Sequence, residues 1–231
     1  MSVKDYFDQT FAEQQEITAA DAQRAEFIRD HIPQGIRTIL EVGAGSGTVT
    51  GRLAEDYEVS ALELSTAGTD KLRALGLRCI QGSIDDLPFE DRSFDLVLAS
   101  QVLEHLDQQL LSAGISEMAR VADARIIVTV PNADNLVLLR QECPHCRSVV
   151  VPWGHLQRFT SATLERLFDP YGFAATGTTA FGPPVADQTT LWGRLLYTHR
   201  RVCNPLRPGR SPPPSIRFPG CHRSRRERCV W

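Results

Sequence analysis

The sequence predicts an α/β protein: a doubly wound, mostly parallel sheet with helices on both faces. Three observations predict it. Short apolar segments alternate with stretches whose apolar residues recur at helical spacing. One segment, Ile39-Leu40-Glu41-Val42, runs straight into three glycines two apart, Gly43, Gly45 and Gly47. The next, Val59-Ser60-Ala61-Leu62, ends in a carboxylate, Glu63. Neighbouring parallel strands that end in a glycine turn and an acid are the frame of a nucleotide-type site at the carboxyl edge of such a sheet.

The elements follow in order. Ala22, Ala25, Phe27 and Ile28 predict a helix over about 19–31, inside an N-terminal cap of about 12–32, with Tyr6, Phe7 and Phe11 just before it. These aromatics either cover the site as a lid or pack the helix onto the sheet. Strands are expected near 37–42, 58–63, 77–81, 93–98 and 125–130. Helices are expected near 47–55, 67–75, 103–120 and 161–169. Gly172-Phe173-Ala174 is read as the start of a sixth strand. Pro131-Asn132 ends the fifth, where sheet-end loops line a substrate pocket.

The glycine turn carries chemistry because glycines remove Cβ atoms, so backbone N–H groups approach a ligand closely. Its spacing is G-x-G-x-G, with Thr48 where a dinucleotide fingerprint needs the third glycine, and no Gly-Lys-Ser/Thr follows. Glu63 lies sixteen residues after Gly47. A carboxylate there can accept hydrogen bonds from both hydroxyls of a ribose. Read alone, Glu63 is equally a charge at the start of the helix after Ser65.

On these residues the chain resembles the class I S-adenosylmethionine-dependent methyltransferases, in the small-molecule, quinone-biosynthesis-like branch. The resemblance runs from about Thr38 to Phe173 and its motifs arrive in the family's order. Glu41 to Gly47 resembles the first motif, which implies that Glu41, Gly43, Ala44, Gly45 and Gly47 cradle the methionine part of S-adenosyl-L-methionine. Glu63, with Leu64, is similar to the ribose-binding position. Gln81 to Phe89 resembles the adenine-side loop, implying contacts from Ser83 and the Ile84 backbone. Ser93 to Leu98 resembles the fourth strand. Gln101-Val102-Leu103-Glu104-His105-Leu106 is similar to the segment facing the methionine end, which brings in Gln101. One departure stands out: the family usually has an acid where this chain has Ser83, so either the serine hydroxyl or Asp85 has to serve the adenine amine. The family's sheet closes with a seventh, antiparallel strand. No apolar strand is legible after Phe181, and Leu195-Leu196-Tyr197 reads better as helix, so an open sheet edge is expected.

Composition agrees with one soluble domain over 1–198, its cofactor core at about 36–132. The chain has 231 residues, 42% hydrophobic and 23% charged. It has no apolar run of membrane-spanning length and no signal-like N-terminus, which predicts a cytoplasmic protein without a membrane span. A net charge of −3 gives no reason to expect nucleic acid. That average hides a basic tail: 199–231 holds nine arginines, six prolines and one acid, Glu227. It reads as disordered, since Pro212-Pro213-Pro214 and low apolar content oppose packing. A basic arm for an anionic surface is the alternative, and the Arg, Pro, Cys and Trp mixture also fits a GC-rich coding sequence read in a shifted frame.

Cys143-Pro144-His145-Cys146 followed by His155 is a partial metal signature in an insertion over 141–156. Cys143, Cys146 and His155 are the candidate ligands of a zinc ion, with His145 in reserve. Two reduced thiols in a loop is the plainer reading, and a thioredoxin-like motif would need a different fold.

For methyl transfer to a small-molecule acceptor the requirements are alignment and exclusion of water, plus a base when the nucleophile carries a proton. His105 and His155 are the candidates. His105 is equally a packing residue at a helix start, and His155 equally a zinc ligand or a surface residue. Two other functions stay open: a nicotinamide-dependent oxidoreductase, which would lack its fingerprint, and a cofactor-binding protein without turnover.

Overall fold

A computed structural model describes residues 4–5, 7–9, 19–131, 140–142, 149–151 and 154–179. Helix α1 (Ala19–Asp30) precedes β1 (Thr38–Val42). Then α2 (Thr48–Leu53), β2 (Glu58–Glu63), α3 (Thr66–Ala74) and β3 (Cys79–Gln81) alternate. The second half runs β4 (Phe94–Ser100), a 3-10 turn (Leu103–His105), α4 (Gln108–Val121) and β5 (Ala122–Thr129). The two-residue strands β6 (Gln141–Glu142) and β7 (Val149–Val150) pair antiparallel, and α5 (Ser161–Glu165) and a second 3-10 turn (Asp169–Tyr171) follow.

The main sheet has the order β3-β2-β1-β4-β5, and all its pairings are parallel. The direction of winding reverses between β1 and β4, which opens the crevice that binds ligands in folds of this kind. Alternation along each strand sorts side chains to the two faces. Ile39, Leu96 and Leu98 pack with Ala25, Ile28, Val49 and Leu53 of α1 and α2. Leu40, Val42, Val97 and Ala99 pack with Ile115, Met118 and Val121 of α4. Both faces are covered, so β1 and β4 are almost continuously apolar, as buried parallel strands must be. At the opposite sheet end Asp95 accepts the Arg37 and Thr38 N–H groups at 2.8 and 2.9 Å, and Asp95 N donates to Thr38 Oγ1 at 3.0 Å. These bonds tie the starts of β1 and β4 and hold the Asp95 carboxyl below its usual range.

Two expectations need correction. The helix expected over 103–120 is broken at Asp107, whose extended backbone and side chain, accepting Leu110 N at 2.9 Å, cap a new helix. The sixth strand expected at Gly172-Phe173-Ala174 does not form. Gly172 turns the chain with φ +83, and Phe173 spends its apolar surface in the core beside Leu164 and Phe168 instead of in a ladder. Residues 173–178 run as irregular backbone along a groove whose other wall includes Ala124, Arg125, Ile126 and Val128 of β5. Leu195-Leu196-Tyr197, the 199–231 tail, Tyr6, Phe11, Asn132 and the Cys143 to Cys146 segment lie outside the described residues.

Candidate functional site

A cleft of about 610 Å³, its open mouth included, lies over the carboxyl ends of β1, β2 and β4. Of the residues expected to bind a cofactor, it brings together Gly43, Glu63, Leu64, Ser83, Ile84 and Gln101, and it adds His105 on its wall. Glu41, Ala44, Gly45 and Gly47 stand behind that lining and shape it.

The glycine turn is built by close approach. Gly43 has φ +73, and a Cβ there would lie 2.5 Å from Val102 Cγ2. Gly43 N donates to the Leu62 carbonyl at 2.7 Å, seating the turn on β2. Gly47, at φ +80, begins α2, and a Cβ there would meet Leu72 Cδ2 at 2.8 Å. Ala44 is buried against Ala61 and Leu72. Only glycine fits the two positive-φ positions without strain against these neighbours.

The two acids of the motifs part company. Glu63 is 3% exposed and lines the cleft. One of its oxygens accepts Gly45 N at 2.9 Å and the other accepts Ser65 N at 2.8 Å. Gly68 makes room for it, since a Cβ there would lie 2.9 Å from Glu63 Cγ. Glu41 points to the opposite face, with Ile39, and is sealed beneath the turn. Thr50 Oγ1 donates to it at 2.5 Å, and burial pushes its carboxyl up to about 8. It is a support of the turn and is absent from the cleft wall.

The loop after β3 forms the adjoining wall. Ser83 donates its hydroxyl to Asp85 Oδ1, which leaves the serine oxygen to accept with a carboxylate behind it. Ile84 is buried against α4 where Gly114 leaves space; a Cβ there would lie 2.8 Å from Ile84 Cγ1. Arg120 and Glu117 of α4 clamp the rest of the loop. Arg120 donates to the Leu87, Phe89 and Asp91 oxygens at 2.8 to 2.9 Å, and Glu117 accepts Leu87 N at 2.9 Å. The Arg120–Glu117 bonds hold the Glu117 carboxyl below its usual range and the guanidinium above its own. Sequence reasoning missed this clamp, because Glu117 and Arg120 sit on a helix face that reads as an ordinary i, i+3 surface pair.

The far end of the cleft is formed by the segment after β4. Gln101 takes a left-handed backbone, φ +58, and donates its N–H to the Thr129 carbonyl at 2.8 Å. A non-glycine residue held there costs on the order of 1 kcal/mol, the kind of strain that concentrates at functional sites. His105 is flanked edge-on by Phe7 at 5.3 Å and by His155 at 5.0 Å between ring centroids. His155 is buried beside Glu104, which is itself 1% exposed. Of the expected zinc ligands, His155 is thus described in the company of Glu104 and His105. Phe7 is the described member of the N-terminal aromatics and lines the cleft. It is held there by Asp8, which accepts Ala67 N at the start of α3 at 3.1 Å, and by Lys4, which bonds Thr66 Oγ1 at 3.0 Å.

The comparisons with known proteins point the same way. Residues 39–124 match the model of a methyltransferase domain family. An uncharacterized methyltransferase of Mycobacterium tuberculosis is 33% identical over 93 residues, 39% of this chain and 37% of that protein. A malonyl-[acyl-carrier protein] O-methyltransferase of Halorhodospira halophila is 29% identical over 123 residues, 50% of this chain and 40% of that protein. The matches thus span well under half the length of these relatives. A putative methyltransferase of Bacillus halodurans superposes with a TM-score of 0.54 at 19% identity, over 67% of this chain and 69% of that one. The magnesium protoporphyrin IX methyltransferase of Synechocystis, solved with bound SAH, gives 0.55 at 17% identity, over 78% and 92%. At such identities the structures establish the fold. Among the described residues no helix is long and apolar enough to cross a membrane. Residues 39–124 are thus similar to a methyltransferase domain, and the chain has the fold of these solved methyltransferases.

Proposed function

We propose that the cleft binds S-adenosyl-L-methionine and passes its methyl group to a small-molecule acceptor by direct in-line displacement. The observation that carries this reading is the meeting of Gly43, Glu63, Ser83 and Gln101, from four separate segments, on one crevice at the winding switch point. S-adenosyl-L-methionine, when bound, supplies a methyl group on a positively charged sulfur.

The residues fit an adenosyl group. Each Glu63 oxygen keeps a lone pair beyond its backbone bond and is available to a ribose hydroxyl. Ser83, backed by Asp85, takes the place of the acid at the adenine amine. The Gly43 turn allows close approach at the methionine end, beside Gln101 and His105. The apolar walls from Leu62, Val102 and Leu106 keep water out. His105, on the cleft wall, and His155 beside it are the side chains placed to handle the proton that an oxygen or nitrogen acceptor loses. That many of the cleft's groups are backbone or apolar suits a reaction whose methyl donor is already activated, where alignment supplies most of the rate.

The test is thermal unfolding of the full chain with and without S-adenosylhomocysteine. The reading expects the product to raise Tm in the wild type and to raise it little or not at all in Glu63→Ala. An equal rise in both proteins contradicts the site. Binding without turnover across oxygen, nitrogen and carbon acceptors would support a cofactor-binding protein instead.

A further inference from the structure

Two distant segments meet at the acceptor end of the cleft. Leu156 N and Gln157 N both donate to the Glu104 carbonyl, at 2.7 and 3.0 Å, and Gln157 Nε2 donates to the Leu106 carbonyl at 3.0 Å. Backbone bonding of this kind fixes position independently of surface side chains, so His155 is locked against the Leu103–His105 turn. Glu104, His105 and His155 consequently offer one ligand-type atom each, all within 4.8 Å of one another. His105 Nε2 lies 4.0 Å from Glu104 Oε1. Glu104 is 1% exposed and His155 7%.

Both imidazoles lie within reach of the Glu104 carboxylate. Two imidazoles and a carboxylate are also the nitrogen and oxygen donor set that first-row divalent cations accept, with positions left open for another ligand. Donor atoms about 2.1 Å from such an ion stand about 3 to 3.5 Å apart, so closing this group around one asks for side-chain rotations of about an ångström. His105 borders the cleft, so open positions of a bound ion would face it.

We propose that Glu104, His105 and His155 form a binding site for a first-row divalent cation of the Zn²⁺, Mn²⁺ or Co²⁺ type, its open positions facing the cleft for water or an oxygen atom of the acceptor. The imidazoles then act as ligands, and the ion polarises the acceptor oxygen, whose proton is lost to water. The acceptor half of this inference rests on the methyl-transfer reading; cation binding does not. The site shares only His155 with the set that includes Cys143 and Cys146.

The experiment strips the full chain of metal with a chelator and titrates it with Co²⁺ and Zn²⁺, and with Mg²⁺ as a hard-cation control. S-adenosylhomocysteine affinity is measured in parallel. The expected result is one Co²⁺ or Zn²⁺ per chain, with affinity at least about tenfold lower in Glu104→Gln and in His155→Gln. Affinity should be unchanged in Cys143→Ser/Cys146→Ser, and the Co²⁺ spectrum should lack an intense sulfur charge-transfer band. No binding, binding of Mg²⁺ alone, or binding lost in the cysteine variant together with a sulfur band overturns the proposal. Should a variant fail to fold, Co²⁺-induced shifts of the His105 and His155 imidazole resonances in the wild type decide: shifts in both support the site, and their absence overturns it. Failure of the wild type to bind S-adenosylhomocysteine would count against the cofactor cleft and leave the cation result standing.

Discussion

The two ends of the cleft are built by different means. The proposed donor end, from the glycine turn through Glu63 to Ser83, is made of the carboxyl tips of β1, β2 and β3, each element short and local in sequence. Its contacts are largely backbone: Gly43 N on Leu62, Gly45 and Ser65 N–H groups on Glu63. The proposed acceptor end has His105 on its wall with Glu104 and His155 beside it, assembled by backbone bonds across some fifty residues. The difference suits the proposed chemistry. A donor common to many enzymes needs a fixed cradle in which few side chains are free to vary. An acceptor that differs between enzymes needs exchangeable side chains on a fixed frame.

The two ends should separate most sharply when Gly43 is changed. Gly43→Val puts a branched side chain at φ +73 into space held by Val102. S-adenosylhomocysteine affinity should fall by about a hundredfold or more, an effect worth about 3 kcal/mol, measured by calorimetry on protein whose far-ultraviolet circular dichroism is unchanged. Next comes Glu63→Gln, which sets an amide N–H₂ against Gly45 N or Ser65 N. Facing two donors in a buried site costs about 1–3 kcal/mol. Both Tm and cofactor affinity should fall, the latter about tenfold, whereas cation binding at the acceptor end should not change.

Arg120→Ala is the third break. It releases the loop carbonyls of Leu87 and Phe89 and leaves Glu117 without its cation. Stability should fall by about 1–2 kcal/mol, with faster amide exchange confined to the 83–91 loop and a several-fold loss of cofactor affinity. The smallest effect on binding is expected at Glu41. Its folded-state carboxyl is raised to about 8 from an ordinary 4.5, so its stabilising contribution is complete below about pH 4.5 and disappears as pH rises through about 8. Glu41→Gln keeps an oxygen for the Thr50 hydroxyl and cannot ionise. Its unfolding free energy should match the wild type near pH 4.5 and exceed it increasingly up to about pH 8, by on the order of 5 kcal/mol, with cofactor affinity unchanged. A variant less stable than the wild type at pH 9 would show that the carboxylate is ionised and satisfied.

Much of the donor end was legible because its signals are contiguous. Ile39 to Gly47 states strand, turn and helix in nine residues, and Glu63 follows at the tip of the next apolar run. Even there, alternation decided what motif resemblance did not: Glu41 shares a face with Ile39 and is sealed under α2, while Gly43 reaches the cleft. The acceptor end was legible as residue types only. Nothing local to His155 says that Leu156 and Gln157 will bond the Glu104 carbonyl, and a zinc set with Cys143 and Cys146 was the nearer pattern in sequence. Asp107 shows how one cap outweighs an apolar periodicity that runs on through it. Phe173 shows that three residues of strand-like character are satisfied as well by core packing as by a ladder.

The most direct measurement is a calorimetric titration of the full chain with S-adenosylhomocysteine and with NAD, in the wild type and in Gly45→Arg. Gly45 is where the turn meets Glu63, so the substitution strikes the bond that unites the two donor-end motifs. One molecule of S-adenosylhomocysteine should bind per wild-type chain, none detectably in Gly45→Arg, and NAD should bind neither. Tight binding of NAD alone, or equal S-adenosylhomocysteine affinity in both proteins, would contradict the site.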